Sequence, residues 1–135
     1  MFQAYFRKQA PLDPSVLRRS LEMLGKRIFP TCPESVWVFG SVARGEAHEG
    51  SDIDLLLVYA HDQDIAAARD RIYGDLSGPL CELPADLLFV TKDEFLRKSD
   101  MGGVCLLAKT EGKPLQSLLG DKDESQTTLQ ERVCS

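Results

Sequence analysis

Apolar residues recur early in the chain with the three-to-four-residue spacing of an amphipathic helix. The series follows Asp13 and Pro14, which suit a helix N-cap and the first helical position, and it ends before Pro30. It consists of Leu17, Leu21, Leu24 and Ile28. We therefore expect an N-terminal amphipathic helix that packs its apolar side against the core.

Continuous apolar runs then predict strands of a buried sheet. The first run ends at Gly40, where the chain must turn, and a proline at position 84 precedes the last. Helical spacing returns between and after the runs, with Asp62 or Asp64 as the cap of the first of these helices. The predicted strands are 36–39, 52–59 and 86–90, the predicted helices are 65–73, 92–98 and 103–109, a short helical turn is expected at 42–45, and a turn is expected at 111–114.

Acidic residues open two of the predicted strands. Asp52 and Asp54 stand two positions apart, so on a strand their side chains point to the same face. Asp86 opens the third strand in the same way and joins the pair if the two strands adjoin. At about 4 Å and an effective dielectric near 20, two carboxylates repel by on the order of 4 kcal/mol, so the pair needs a positive partner. Mg²⁺ is the simplest partner for such oxygen ligands.

A glycine and a serine leave the first strand in a turn that suits a phosphate. Gly40 permits close backbone approach, and Ser41 adds a hydroxyl donor beside the N–H groups of a short helix. Arg44 could reach the same phosphates through its guanidinium. Taken singly, these features are also typical of an ordinary turn, a solvated strand end and a surface arginine. Together they indicate a metal-dependent nucleotide site, and neither a P-loop nor a Gly-x-Gly-x-x-Gly motif is present.

Length and charge narrow the class of protein. The chain has 135 residues and suits one domain, which we place at residues 1–119, followed by a polar tail at 120–135 that we expect to be flexible. The net charge of −5 disfavours long DNA or RNA as a partner. Basic residues nevertheless crowd the first thirty positions, where they form either a solvated helix face or a docking surface for an acidic partner.

The same sequence features favour a cytoplasmic protein. The apolar runs are too short to cross a bilayer, and the N-terminus lacks the pattern of a secretory signal. The four cysteines are scattered without Cys-x-x-Cys spacing, which predicts neither a zinc site nor a disulfide framework. We expect free thiols and no membrane association.

The sequence resembles the DNA polymerase β-like nucleotidyltransferase superfamily and, within it, the minimal nucleotidyltransferases. The resemblance rests on Gly-Ser-Val-Ala-Arg-Gly-Glu at 40–46, Ser-Asp-Ile-Asp-Leu at 51–55, and Asp86, and it covers roughly residues 12 to 118. It implies an α/β (α+β) fold with a mixed β-sheet flanked by helices. It further implies that Asp52 and Asp54 hold two Mg²⁺ ions and that Asp86 helps to bind metal and to activate the attacking hydroxyl. Gly40 and Ser41 would bind the triphosphate.

The resemblance also implies a reaction and a biological role. A nucleoside monophosphate, AMP from ATP, would pass to a protein hydroxyl while pyrophosphate leaves. Family members of this size often serve as antitoxins of HEPN-domain ribonucleases, and some add AMP to a tyrosine of the toxin. Two alternatives stay open: a non-catalytic antitoxin that binds through its basic N-terminal helix, and a small-molecule nucleotidyltransferase of the aminoglycoside-modifying type. The choice of NTP and the homo- or hetero-oligomeric state are also open.

Overall fold

The first helix forms as its apolar spacing predicts. The computed structural model describes residues 10–74 and 79–119, so the expected tail at 120–135 lies outside the described residues. Helix α1 spans Pro14–Ile28, and the carboxylate of Asp13 caps it by accepting the backbone N–H of Ser15 at 3.0 Å. A single 3-10 turn at Phe29–Thr31 ends it. Leu21, Leu24 and Ile28 are buried, as predicted.

Four strands form one mixed sheet in the order β3-β2-β1-β4. The strands are β1, Ser35–Phe39; β2, Ile53–Tyr59; β3, Ala85–Thr91; and β4, Lys113–Pro114. Strand β1 is antiparallel to both β2 and β4, whereas β2 and β3 are parallel. The first three strands were predicted, but the turn expected at 111–114 is wrong in part, because Pro114 pairs with Trp37. A strand of two residues has no hydrophobic period that a sequence pattern could reveal.

Helices cover both faces of the sheet. They are α2, Ser41–Arg44; α3, Asp62–Tyr73; α4, Lys92–Lys98; α5, Gly103–Glu111; and α6, Leu115–Leu118. The prediction that Asp62 or Asp64 caps α3 is wrong, because His61 occupies the N-cap and makes no side-chain cap hydrogen bond. The two aspartates lie instead in the first turn, where the positive end of the helix dipole interacts favourably with their negative charge.

Strand β2 is buried on both sides because its alternate residues enter two separate apolar clusters. Leu55 and Leu57 pack in the larger cluster with residues of α1 and α3. Leu56 and Val58 pack in a second cluster with residues of α4 and α5, including Cys105. This two-sided burial explains the continuous apolar run in the sequence. The protein has the α/β fold expected from the resemblance, a mixed sheet flanked by helices.

The surface and the cysteines differ in part from expectation. In the described ranges no helix is both long enough and apolar enough to cross a membrane. Cys81 and Cys105 are buried free thiols, as expected, but Cys32 is disulfide-bonded, so the expectation of free thiols is wrong for that residue. On α1, Arg18 and Arg19 form exposed ion pairs with glutamates of the same chain. These pairs offset part of the positive charge on the exposed face of the helix.

Candidate active site

The three predicted carboxylates meet at one end of the sheet. Asp54 is the second residue of β2 and is half-buried, and the parallel register pairs it directly with Asp86 of β3. Asp86 is exposed, and Asp52, also exposed, lies one residue before β2 begins. The sequence left open whether Asp86 lies beside the pair. The strand order places it there, because paired residues of adjacent strands project on the same face.

The glycine of the predicted phosphate turn lies against Asp54. Strand β1 ends at Phe39, which pairs with Asp54, so Gly40 begins its turn beside that carboxylate. Gly40 has φ 75° and ψ −155°, a conformation that is essentially restricted to glycine. A Cβ atom at this position would lie 2.5 Å from Oδ2 of Asp54. The backbone conformation therefore favours glycine here, and any larger residue would also have to displace the end of the Asp54 side chain.

Partial burial and repulsion by the neighbouring carboxylates shift the pKa of Asp54, the half-buried member of the acidic group. The pKa of Asp54 is raised above its usual value, chiefly by burial and then by the negative charges of Asp86 and Asp52. The positive charge of Arg44 opposes this shift only in part. Asp54 is therefore a carboxylate whose ionised form lacks adequate compensation within the chain, the condition that a bound cation relieves.

A buried serine holds the loop between α2 and β2 against the turn. Ser51 is only 6% exposed, and its Oγ accepts the backbone N–H of His48 at 2.9 Å and the hydroxyl of Ser41 at 3.2 Å. The Ser41 hydroxyl therefore lies at the turn, as expected, but must exchange its bond to Ser51 before it can donate to a phosphate. Ser51 belongs to the Ser-Asp-Ile-Asp-Leu motif, but the sequence alone did not reveal this role. The signal was its place directly before Asp52.

Two glutamates hold the predicted phosphate-binding arginine. Arg44 ends α2, and its Nε donates to Oε1 of Glu46 at 2.9 Å while its Nη1 donates to Oε1 of Glu111 at 3.1 Å. The pKa of Arg44 is raised, first by the hydrogen bond to Glu46 and further by the charge of Glu111. Sequence reasoning missed both glutamates as partners of Arg44. Glu111 lies at the end of α5, 67 positions after Arg44 in the sequence, and no local pattern connects the two residues.

The chemistry of the acidic group fits a divalent cation. Its donors are carboxylate oxygens, which Mg²⁺ prefers, and its charge is incompletely balanced at Asp54. Within residues 10–74 and 79–119, no three acidic, histidine or cysteine side chains are gathered closely enough to hold a metal ion by themselves. Mg²⁺ commonly takes one or two carboxylates and completes its shell with substrate phosphates and water. The assignment of Asp52, Asp54 and Asp86 as metal ligands stays a prediction.

Comparison of the sequence with known families identifies the class of domain. The sequence profile of the nucleotidyltransferase domain matches residues 18–105, which is more than half of the chain and contains all six predicted site residues. The chain belongs to the nucleotidyltransferase domain family. Members of this family generally use a nucleoside triphosphate and a divalent metal. No curated protein gives a significant match.

Two solved structures resemble this nucleotidyltransferase domain at low sequence identity. A candidate nucleotidyltransferase from Sulfolobus solfataricus is 17% identical with a TM-score of 0.47, and the match covers 79% of this chain and 90% of that one. A toxin-antitoxin structure with AMP-PNP is 20% identical with a TM-score of 0.42, covering 84% of this chain and 80% of that one. The family assignment rests on the sequence profile rather than on either of these structures.

Proposed function

We propose that the chain is a Mg²⁺-dependent nucleotidyltransferase that moves AMP from ATP to a hydroxyl group of a partner protein. The observation that carries the proposal is the register of β2 and β3, which sets Asp86 beside Asp54, next to the glycine turn at the end of β1. Carboxylates and a phosphate-binding turn are the two components that nucleotidyl transfer requires. We also propose that residues 1–119 form a single domain and that the protein is cytoplasmic.

Each site residue has a task in the proposed reaction. Asp52 and Asp54 would hold two Mg²⁺ ions, Asp86 would contribute to metal binding, Gly40 and Ser41 would receive the triphosphate, and Arg44 would reach the same phosphates. Bound Mg²⁺ would supply neutralisation of the phosphate charge and stabilisation of the entering and leaving oxygens.

We place the acceptor hydroxyl beside Asp86 in the proposed reaction. Its oxygen bonds to the α-phosphorus of ATP, and the bond from that phosphorus to the bridging oxygen breaks. Pyrophosphate leaves, and the hydroxyl proton passes to the carboxylate of Asp86. Exposure of Asp86 supports this role, because an acceptor on another molecule must reach it.

We further propose that the acceptor belongs to a HEPN-domain ribonuclease toxin, so that the chain acts as an antitoxin. Asp52 and Asp86 are exposed at the end of the sheet, so a hydroxyl on the surface of another protein can approach them. A partner protein that brings its own hydroxyl to this end of the sheet would meet the carboxylates directly. An aminoglycoside-type acceptor is the alternative for the same site.

The second alternative, inhibition by binding alone through the basic helix, has less support in the structure. Two arginines of α1, Arg18 and Arg19, are engaged with Glu22 and Glu82 of the same chain. Their charge is therefore partly compensated before any acidic partner arrives. Exposed pairs of this kind contribute little to the stability of the helix, but they reduce its local positive charge.

Neutralisation of the toxin separates catalysis from occlusion. We would co-express a HEPN-domain ribonuclease toxin, the proposed partner, with the wild-type chain and with the double variant Asp52→Ala and Asp54→Ala, and measure cell growth and complex formation. Catalysis predicts that the double variant still binds the toxin but no longer protects the cells. Full protection by the double variant would refute the enzymatic proposal and favour occlusion.

A further inference from the structure

The hydrogen bonds of Arg44 connect the region that follows the Gly40–Ser41 turn to helix α5. Glu46 lies two residues beyond Arg44, whereas Glu111 is the last residue of α5. The Arg44 side chain is 44% exposed and that of Glu111 is 27% exposed, so the contact between them lies at the rim of the site. The Arg44–Glu111 bond therefore ties the short helix α2 to α5.

The guanidinium retains enough donors to bind a phosphate while both glutamates hold it. An arginine side chain has five N–H donors, and Nε and Nη1 each use one for these contacts. Three donors remain, which suffices for a two-point contact with phosphate oxygens. The glutamates consequently hold the arginine without consuming its capacity for phosphate. Arg44 also lies close enough to Asp54 for its charge to influence that carboxylate.

We propose that Glu111 is a positioning residue, which holds Arg44 in the orientation that receives the triphosphate. The inference rests on the proposed function, because it assumes that a triphosphate binds at the Gly40–Ser41 turn. A long arginine side chain loses rotamer freedom when it binds a ligand, and a partner that restricts it beforehand reduces that cost. The carboxylate acts on the ligand through the arginine and does not contact the reacting atoms.

Two substitutions at one position separate positioning from net charge. Glu111→Asp keeps the negative charge but withdraws the carboxylate by one methylene, which breaks the 3.1 Å contact with Arg44. Glu111→Gln removes the charge but keeps an oxygen acceptor at the same reach. Positioning predicts that the Asp variant binds triphosphate more weakly and that the Gln variant stays close to wild type. A role through charge alone predicts that the Asp variant binds like wild type and that the Gln variant, which removes a negative charge near the phosphates, binds more tightly.

The experiment measures the dissociation constant of the α,β-imido analogue of ATP with Mg²⁺ by calorimetry. For Glu111→Asp we expect affinity about fivefold weaker than wild type, the size typical of coupling between contacting residues. In an Arg44→Gln background, the same change should have no further effect. Glu22→Gln, which breaks an exposed arginine–glutamate pair on α1, is the matched control and should bind like wild type.

The possible results distinguish this inference from the function on which it rests. Wild-type affinity in Glu111→Asp, or an undiminished loss in the Arg44→Gln background, overturns the positioning role and leaves the proposed function intact. Failure of the wild-type chain to bind the analogue overturns both. If Glu111→Asp does not fold, as judged by its thermal transition, Glu46→Asp replaces it with the same expectation, because it withdraws the other carboxylate that holds Arg44.

Discussion

The substitution Gly40→Ala tests how closely the Asp54 side chain approaches the glycine turn. Alanine must adopt φ 75° and ψ −155°, a region essentially limited to glycine, at a cost of about 1–3 kcal/mol. Its Cβ would also lie 2.5 Å from Oδ2 of Asp54, so the carboxylate must move. Because that oxygen is the far end of a side chain that can rotate away, the collision adds about 1 kcal/mol, which gives an expected loss of about 2–4 kcal/mol in the free energy of unfolding.

Two further variants separate the strain from the collision. Gly45→Ala also places alanine at positive φ, but nothing lies within 4 Å of its Cβ, so only backbone strain of about 1–2 kcal/mol is expected. In an Asp54→Ala background the oxygen that collides is absent, and the cost of Gly40→Ala should fall by about 1 kcal/mol or more.

Urea denaturation followed by circular dichroism gives each free energy of unfolding in this double-mutant cycle. Equal costs for Gly40→Ala and Gly45→Ala, together with no change in the Asp54→Ala background, would refute the reasoning. That result would mean that Asp54 does not lie against the glycine turn.

Three other expectations follow from the site and the core. The pKa of Asp54 is raised in the folded state, so its ionised form lowers stability at neutral pH, and protonation relieves this cost as pH falls through the folded pKa. Without metal, Asp54→Asn should therefore melt at a higher temperature than wild type at pH 7, with the difference disappearing under acid; no difference at pH 7 would contradict the raised pKa. Mg²⁺ with the imido analogue of ATP should raise the unfolding free energy of the wild type by about 2.7 kcal/mol at a hundred times its dissociation constant, and that of Asp54→Asn much less, in a thermal shift assay. Leu24→Ala, in the fully buried face of α1, should cost about 2–5 kcal/mol in urea denaturation, whereas Leu96→Ala, which is 59% exposed, should cost less than about 0.5 kcal/mol.

Much of the fold could be predicted because local periodicity carries it. The spacing of Leu21, Leu24 and Ile28 specifies the buried face of α1, and the run in β2 is continuous because the strand is covered on both sides. Strand β4 was not predicted because a strand of two residues is too short to show a repeating hydrophobic pattern. The cap of α3 was assigned to an aspartate because sequence alone does not show where the first helical turn begins, and His61 holds that position.

The site was predictable in composition but not in its contacts. Asp52 and Asp54 could be paired by spacing, whereas the neighbour of Asp54 on the next strand depends on strand order, which the sequence suggests without fixing. The partner of Arg44 on α5 depends on how a distant helix packs against the sheet, so no local pattern reveals Glu111. The Asp54–Asp86 pairing and the Arg44–Glu111 bond both join residues that are far apart in the chain, which is why the sequence did not reveal them.

The most direct test of nucleotidyl transfer follows the two ends of the triphosphate separately. The chain would be incubated with Mg²⁺, the proposed HEPN-domain toxin, and ATP labelled in parallel reactions at the α- or the γ-phosphate. We predict that α-label becomes covalently attached to the toxin, that γ-label leaves as pyrophosphate, and that Asp54→Asn abolishes both. Attachment of γ-label, transfer by Asp54→Asn at the wild-type rate, or no transfer with any of the four NTPs would contradict the account.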